Sequence, residues 1–172
     1  ASILPVAAFL ANLVAISLIP YKVKAQHPQW AYYNNNYTNS IAEDNDAIWA
    51  GTAFGLVRLD KLSGEIFTFN KTNSPLPVNR INSVTIDADN NKWLGTEGGG
   101  LIKYDGSNWQ IFDTTNSQIP TNYIYEIATD YENNVYLVAL QYPELKNSLA
   151  KKVNDDDWII YNCPSYKIYD IE

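Results

Sequence analysis

Two stretches of this sequence place oxygen-bearing side chains at alternate positions, as a calcium loop does: Asp87-x-Asp89-x-Asn91 and Asp130-x-Glu132-x-Asn134. Both lack the central glycine and the closing bidentate glutamate of such a loop, and hairpin turns capped by Asp and Asn account for them better. Gly98-Gly99-Gly100 has the composition of a phosphate cradle, but neither a helix nor a Lys-Ser/Thr pair follows it. The matching Ala53-Phe54-Gly55 keeps one glycine, so a tight strand connection is the better reading. His27, the single histidine, stands near the N-terminus, which removes histidine acid–base catalysis, Ser-His-Asp triads and histidine metal sites from the rest of the chain. No metal or cofactor is implied, and a non-catalytic role is expected. Asp155-Asp156-Asp157 before Trp158 reads as a solvated turn. Tyr123, Tyr125, Tyr131 and Tyr136 have the ring faces to stack on a sugar, although alternating aromatics in strands more often pack one sheet on another.

The elements that position these residues follow from an internal repeat. Ile48-Trp49-Ala50-Gly51-Thr52 matches Lys92-Trp93-Leu94-Gly95-Thr96, and Val135-Tyr136-Leu137-Val138-Ala139 occupies the same place a third time. Asp44, Asp87 and Asp130 keep the same step, and Asn73-Ser74-Pro75-Leu76-Pro77 matches Asn116-Ser117-Gln118-Ile119-Pro120. Gly55-Leu56-Val57-Arg58-Leu59-Asp60 matches Gly100-Leu101-Ile102-Lys103-Tyr104-Asp105, while the third copy is displaced by an insertion around residues 141–148. In the middle copy, strand-length runs of alternating polarity (83–87, 92–96, 100–104 and 109–112) are separated by Asn-, Asp- and Gly-rich turns. Four antiparallel strands in about 40–45 residues is the size of one β-propeller blade. The expected fold is therefore all-β, with three blades at about 40–70, 83–113 and 126–162. Trp49, Trp93 and Tyr136 would pack each blade on the next, with Gly51, Gly95 and Asp87 as repeat-defining structural residues.

Residues 3–19 are apolar almost throughout and end at Pro20, and Val23-Lys24-Ala25 presents short side chains where a signal peptidase reads. Residues 1–25 are therefore expected to be an export signal, helical while it lasts, with retention of 3–19 as a membrane anchor the alternative. Residues 26–172 form the partial propeller. Loss of Lys22 and Lys24 with the signal takes the net charge from −7 to −9, and no segment supplies the basic stripe that a nucleic acid needs. Cys163, the single cysteine, has no partner for an intramolecular disulfide.

Val84-Thr85-Ile86-Asp87, Asn91-Lys92-Trp93-Leu94-Gly95-Thr96, Gly98-Gly99-Gly100-Leu101 and Lys103-Tyr104-Asp105 together resemble the two-component regulator propeller repeat, over a stretch from about Ser40 to Asp157. The third copy departs from it, with Tyr136 for the Trp and no Gly-Thr after it. The resemblance implies a bacterial, periplasmic or secreted protein. Such propellers serve as sensors of hybrid histidine kinases, where they are associated with carbohydrate fragments, or as parts of surface proteins with structural or adhesive roles. A propeller lyase or hydrolase is the weaker alternative. Propellers usually close with four or more blades, so three imply either further blades of the same chain or self-association. Propeller ligands approach one end of the central channel, reached by the connectors between blades and by the loops between second and third strands. This places Arg80, Glu97, Asn122 and Tyr123 as candidate contacts to an oligosaccharide or other small ligand, against the plainer expectation that the connectors only fix blade spacing.

Overall fold

The computed structural model describes residues 38–141, 146–153 and 157–162. The expected export segment, His27, Cys163 and most of the acidic run lie outside these. Twelve strands and no helix are present among the described residues, arranged as three four-stranded antiparallel sheets. The first sheet runs β1 (Thr38–Glu43), β2 (Ala47–Thr52), β3 (Gly55–Asp60) and β4 (Ile66–Phe69). The second runs β5 (Ile81–Ile86), β6 (Lys92–Thr96), β7 (Leu101–Tyr104) and β8 (Trp109–Phe112). The third runs β9 (Ile124–Thr129), β10 (Val135–Gln141), β11 (Lys146–Lys152) and β12 (Trp158–Asn162). Each sheet is a meander in chain order, and β1 contacts β5 as β5 contacts β9, so the first strands stand side by side as blades of a propeller do. The insertion in the third copy lengthens one hairpin, since β10 and β11 have seven residues each where β6 and β7 have five and four.

The repeated residues each carry one contact that the fold needs. Asp87 accepts the Trp93 indole N–H at 2.8 Å, Asp44 accepts that of Trp49 at 2.9 Å, and Asp130 accepts the Tyr136 hydroxyl at 3.2 Å. The other carboxylate oxygen closes the hairpin by accepting backbone amides, from Asn91 in one blade and from Asn134 in another. In these turns Asn90 and Asn133 take φ of 65° and 63°, a conformation that Asn tolerates better than most residues. A cation on the third strand lies over each aromatic ring: Arg58 at 5.8 Å from Trp49, Lys103 at 5.4 Å from Trp93 and Lys151 at 5.2 Å from Tyr136.

Blade-to-blade packing explains the glycines. A Cβ at Gly51 would stand 2.8 Å from the Ile81 Cγ2 of the second blade, and one at Gly95 would stand 2.9 Å from the Ile124 Cγ2 of the third. The indoles of Trp49 and Trp93 are buried on the same faces. Two cores result. Trp49, Leu56, Ile81, Val84, Leu94, Ile102 and Tyr104 fill the first interface, and Trp93, Leu101, Phe112, Ile124, Ile127, Leu137 and Trp158 fill the second.

Candidate ligand cleft

The connectors that lead into β5 and β9 are built alike from side chains that bond their own backbone. Asn73 accepts from the Asn70 amide and donates to the Thr68 carbonyl, and Asn116 repeats this with Asp113 and Ile111. Asn79 accepts the Lys71 amide at 3.0 Å, and Asn122 accepts that of Thr114 at 2.8 Å. Asn122, expected among the ligand contacts, thus has its amide oxygen engaged in the connector, and its carbonyl accepts from Gly98 and Gly100. Gly99 donates to the Thr96 hydroxyl, so all three amides of the triple-glycine run have partners within the fold and none is left to hold a phosphate.

At the first strand of every blade the pairing with the second strand slips by one residue: between Thr38 and Ser40, between Ile81 and Ser83, and opposite Val138 and Ala139. Such bulges re-aim a side chain, and here they fall on Asn39, Asn82 and Tyr125. Asn39 donates to the Ile81 carbonyl at 2.7 Å and Asn82 to the Ile124 carbonyl at 3.0 Å, so in the first two blades the bulge residue latches the next blade. In the third blade the position holds Tyr125, which is half exposed.

These elements enclose a cleft of about 160 Å³ lined by Arg80, Asn82, Glu97, Tyr123, Ile124, Tyr125 and Leu140. Three of the four expected contacts meet there. Arg80 Nε lies 2.6 Å from Glu97 Oε2, with the two side chains 54% and 43% exposed. Tyr123 follows Asn122 into the cleft and bridges to the Glu97 backbone, and its ring edge and hydroxyl lie 3.5–3.7 Å from where a Cβ on Gly98 would stand. An exposed pair of this kind contributes about 1 kcal/mol or less, so a ligand able to bond both groups exchanges little stability for its own contacts. The cleft offers a fork of donors, a carboxylate acceptor, two tyrosine rings and an apolar floor from Ile124 and Leu140. It holds no nucleophile paired with a base, and no group of three or more His, Cys, Asp or Glu side chains suited to a metal exists among the described residues. Asn82 and Leu140 were not reached from the sequence, and Tyr125 was reached only as one of four tyrosines able to stack on a sugar. Asn82 and Tyr125 sit inside strands of ordinary alternation, and only the one-residue slip turns them to the cleft.

A second charged cluster lies away from the cleft. Lys92 Nζ is 2.8 Å from Asp44 Oδ2 across the first interface, with the side chains 5% and 9% exposed, and it stands 5.0 Å from the centroid of Trp49. Burial opposes ionisation of Asp44, but hydrogen bonds from Lys92, Trp49 and the amides of Ala47 and Asp46 outweigh it and hold the carboxyl well below its ordinary range. This cluster joins two blades and presents no open face to a ligand.

No family model matches the chain, and no curated protein does. Solved structures do. The chain aligns, with a TM-score of 0.63 and 22% identity over 74% of its length, to a chain described as the extracellular domain of a hybrid two-component system from B. thetaiotaomicron. A second such domain from the same organism is 31% identical over 58% of this chain, with a TM-score of 0.47. A catalytically inactive virginiamycin B lyase from Staphylococcus aureus aligns with a TM-score of 0.56 and 14% identity over 76% of the chain. The chain spans 18%, 14% and 42% of the lengths of these proteins. What the likeness establishes is the fold, three consecutive four-stranded blades of the β-propeller kind.

Proposed function

We propose that the chain is part of an exported, non-enzymatic propeller that binds a small polar ligand, an oligosaccharide fragment being the best fit, and that it serves as a sensing or recognition module. The observation that carries this reading is the cleft between the second and third blades. The residues that line it include repeat-equivalent positions whose chemistry differs, with Arg80 equivalent to Tyr123, Glu97 to Leu140 and Asn82 to Tyr125, so polar and aromatic groups face one opening. Tyrosine faces beside a donor fork and a carboxylate suit a ring that carries apolar C–H faces and equatorial hydroxyls. Export is supported by the apolar segment at residues 3–19 and by the extracellular character stated for the similar B. thetaiotaomicron domains. The net negative charge makes a nucleic acid an unsuitable partner.

Calorimetric titration with a panel of neutral and acidic oligosaccharides tests the reading. Saturable binding abolished in Tyr123→Ala and weakened at least tenfold in Arg80→Ala, with both variants folded, supports it. Binding that is unaffected by both substitutions places the site elsewhere. No binding across the panel by the folded protein favours a structural or adhesive surface role.

A further inference from the structure

The two arginines of the chain are engaged to different degrees. Arg58 uses its terminal edge inside the first blade, where Nη2 lies 2.9 Å from Asp60 Oδ2 and the guanidinium sits over Trp49. Arg80 meets Glu97 through Nε, on the side edge of its guanidinium, and no other acceptor bonds its side chain among the described residues. Its two terminal nitrogens therefore keep a parallel pair of donors, the geometry that a carboxylate matches with two bonds. The rest of the lining limits where a ligand's charge can go. Tyr123 and Tyr125 bring ring faces of negative π density, which repel an anion, Ile124 and Leu140 are apolar, and Asn82 donates its amide to the Ile124 carbonyl. Glu97 is balanced by Arg80, so it can accept hydroxyls while the cleft carries no net charge.

Size sets a second limit. A cavity of roughly 150 Å³ holds one six-membered ring, and this cleft measures about 160 Å³. The chain's net charge of −7 resists a polyanion, which favours a ligand with a single acid at the site. We propose that the cleft selects an acidic sugar, seating one uronic acid ring with any further units of a short oligosaccharide outside it. This rests on the reading of the cleft as a ligand site and adds the chemical class of the ligand. The carboxylate lies on the terminal edge of Arg80, whose side edge keeps Glu97. The C–H face of the ring lies against a tyrosine, and its hydroxyls donate to Glu97. A neutral sugar leaves the terminal donors unmatched and forgoes two charge-assisted bonds.

Titration of the full chain with glucuronate and galacturonate, their methyl esters, and the neutral parents glucose and galactose tests this, because an ester keeps the shape and removes the charge. At least one acid is expected to bind saturably, about tenfold or more tighter than its ester and its parent. Arg80→Gln should erase that preference, Arg80→Lys should retain part of it, and Tyr123→Ala should weaken acid and ester alike, each variant being checked for its fold by circular dichroism. Equal binding of acid and ester, both lost in Tyr123→Ala, would overturn the acidic class and leave the cleft standing as a ligand site. An acid preference that survives Arg80→Gln would overturn it as well, by putting the anion elsewhere. Absence of binding by every probe would also overturn it, and the cleft reading falls with it only if the wider oligosaccharide panel is silent too.

Discussion

The two interfaces between the three blades share a backbone plan and differ in what fills it. Both use a bulge asparagine to hold a carbonyl of the next blade, and both set an isoleucine against a glycine. The first is then sealed by charge and aromatic rings. Lys92 reaches across to Asp44, and Trp49, Phe69, Tyr104 and Trp109 form a connected cluster in which Tyr104 and Trp109 stack at 4.3 Å. The second has Val135 where the first has Lys92, and mainly aliphatic side chains surround its Trp93, Phe112 and Trp158. Asp87, deprived of a lysine, receives both oxygens' worth of bonding from the Asn91 side chain instead. Repeat geometry therefore fixes where a contact must be made and leaves its chemistry to local exchange, which is why the first interface is closed by a buried ion pair and, among the described residues, the second is not.

The largest effect is expected from deleting an aromatic seal. Trp93→Ala removes the ring at the centre of the second core and should cost about 3–5 kcal/mol, read by urea denaturation. Trp49→Ala should cost as much or more, because it also withdraws the indole from Asp44 and the ring beneath Lys92. Equal and small losses from both would show that the rings are not the seals.

Breaking the ion pair on one side comes next. Lys92→Met leaves Asp44 nearly buried beside an apolar partner and should cost about 3 kcal/mol, whereas Asp44→Asn together with Lys92→Met should recover most of that loss. If the single and double variants are equally unstable, the pair is not coupled across the interface.

Acidification sharpens the same contrast. The Asp44 carboxyl has its pKa depressed in the folded protein, so the stability it contributes is present above the unfolded-state value of about 4 and is lost as pH falls through and below it. Hydrogen exchange should report loosening of β1, β2 and β6, the elements that the pair joins, below about pH 4, and Asp44→Asn/Lys92→Met should abolish it. Uniform loosening of all three blades would break the comparison. The smallest effect belongs to the cleft, where Arg80→Ala should change stability by about 1 kcal/mol or less because the pair with Glu97 is exposed.

Most of the architecture was legible because each repeated residue performs one geometric task. Asp44, Asp87 and Asp130 recur since each anchors an aromatic ring, and Gly51 and Gly95 recur since a side chain there would strike the next blade. The cleft was legible only in part. Arg80, Glu97 and Tyr123 could be placed by knowing which loops reach the channel, but Asn122 resembles them in position and is engaged in its connector as Asn79 is. Asn82 was hidden, and Tyr125 could not be told from the other tyrosines, because a bulge, which is a matter of strand register, decides where they point. The Lys92–Asp44 pair was hidden for a related reason, since it joins residues far apart in the sequence and is missing from the next interface.

The most direct test of the account is residue-resolved chemical-shift mapping during titration with the oligosaccharides that calorimetry selects, or with the whole panel if none is selected. The account expects saturable shifts at Arg80, Asn82, Glu97, Tyr123, Tyr125 and Leu140, with Asn39, Asp44, Trp49 and Lys92 at the first interface unmoved. Shifts centred on the first interface, or none at the cleft at saturating concentrations, would contradict it.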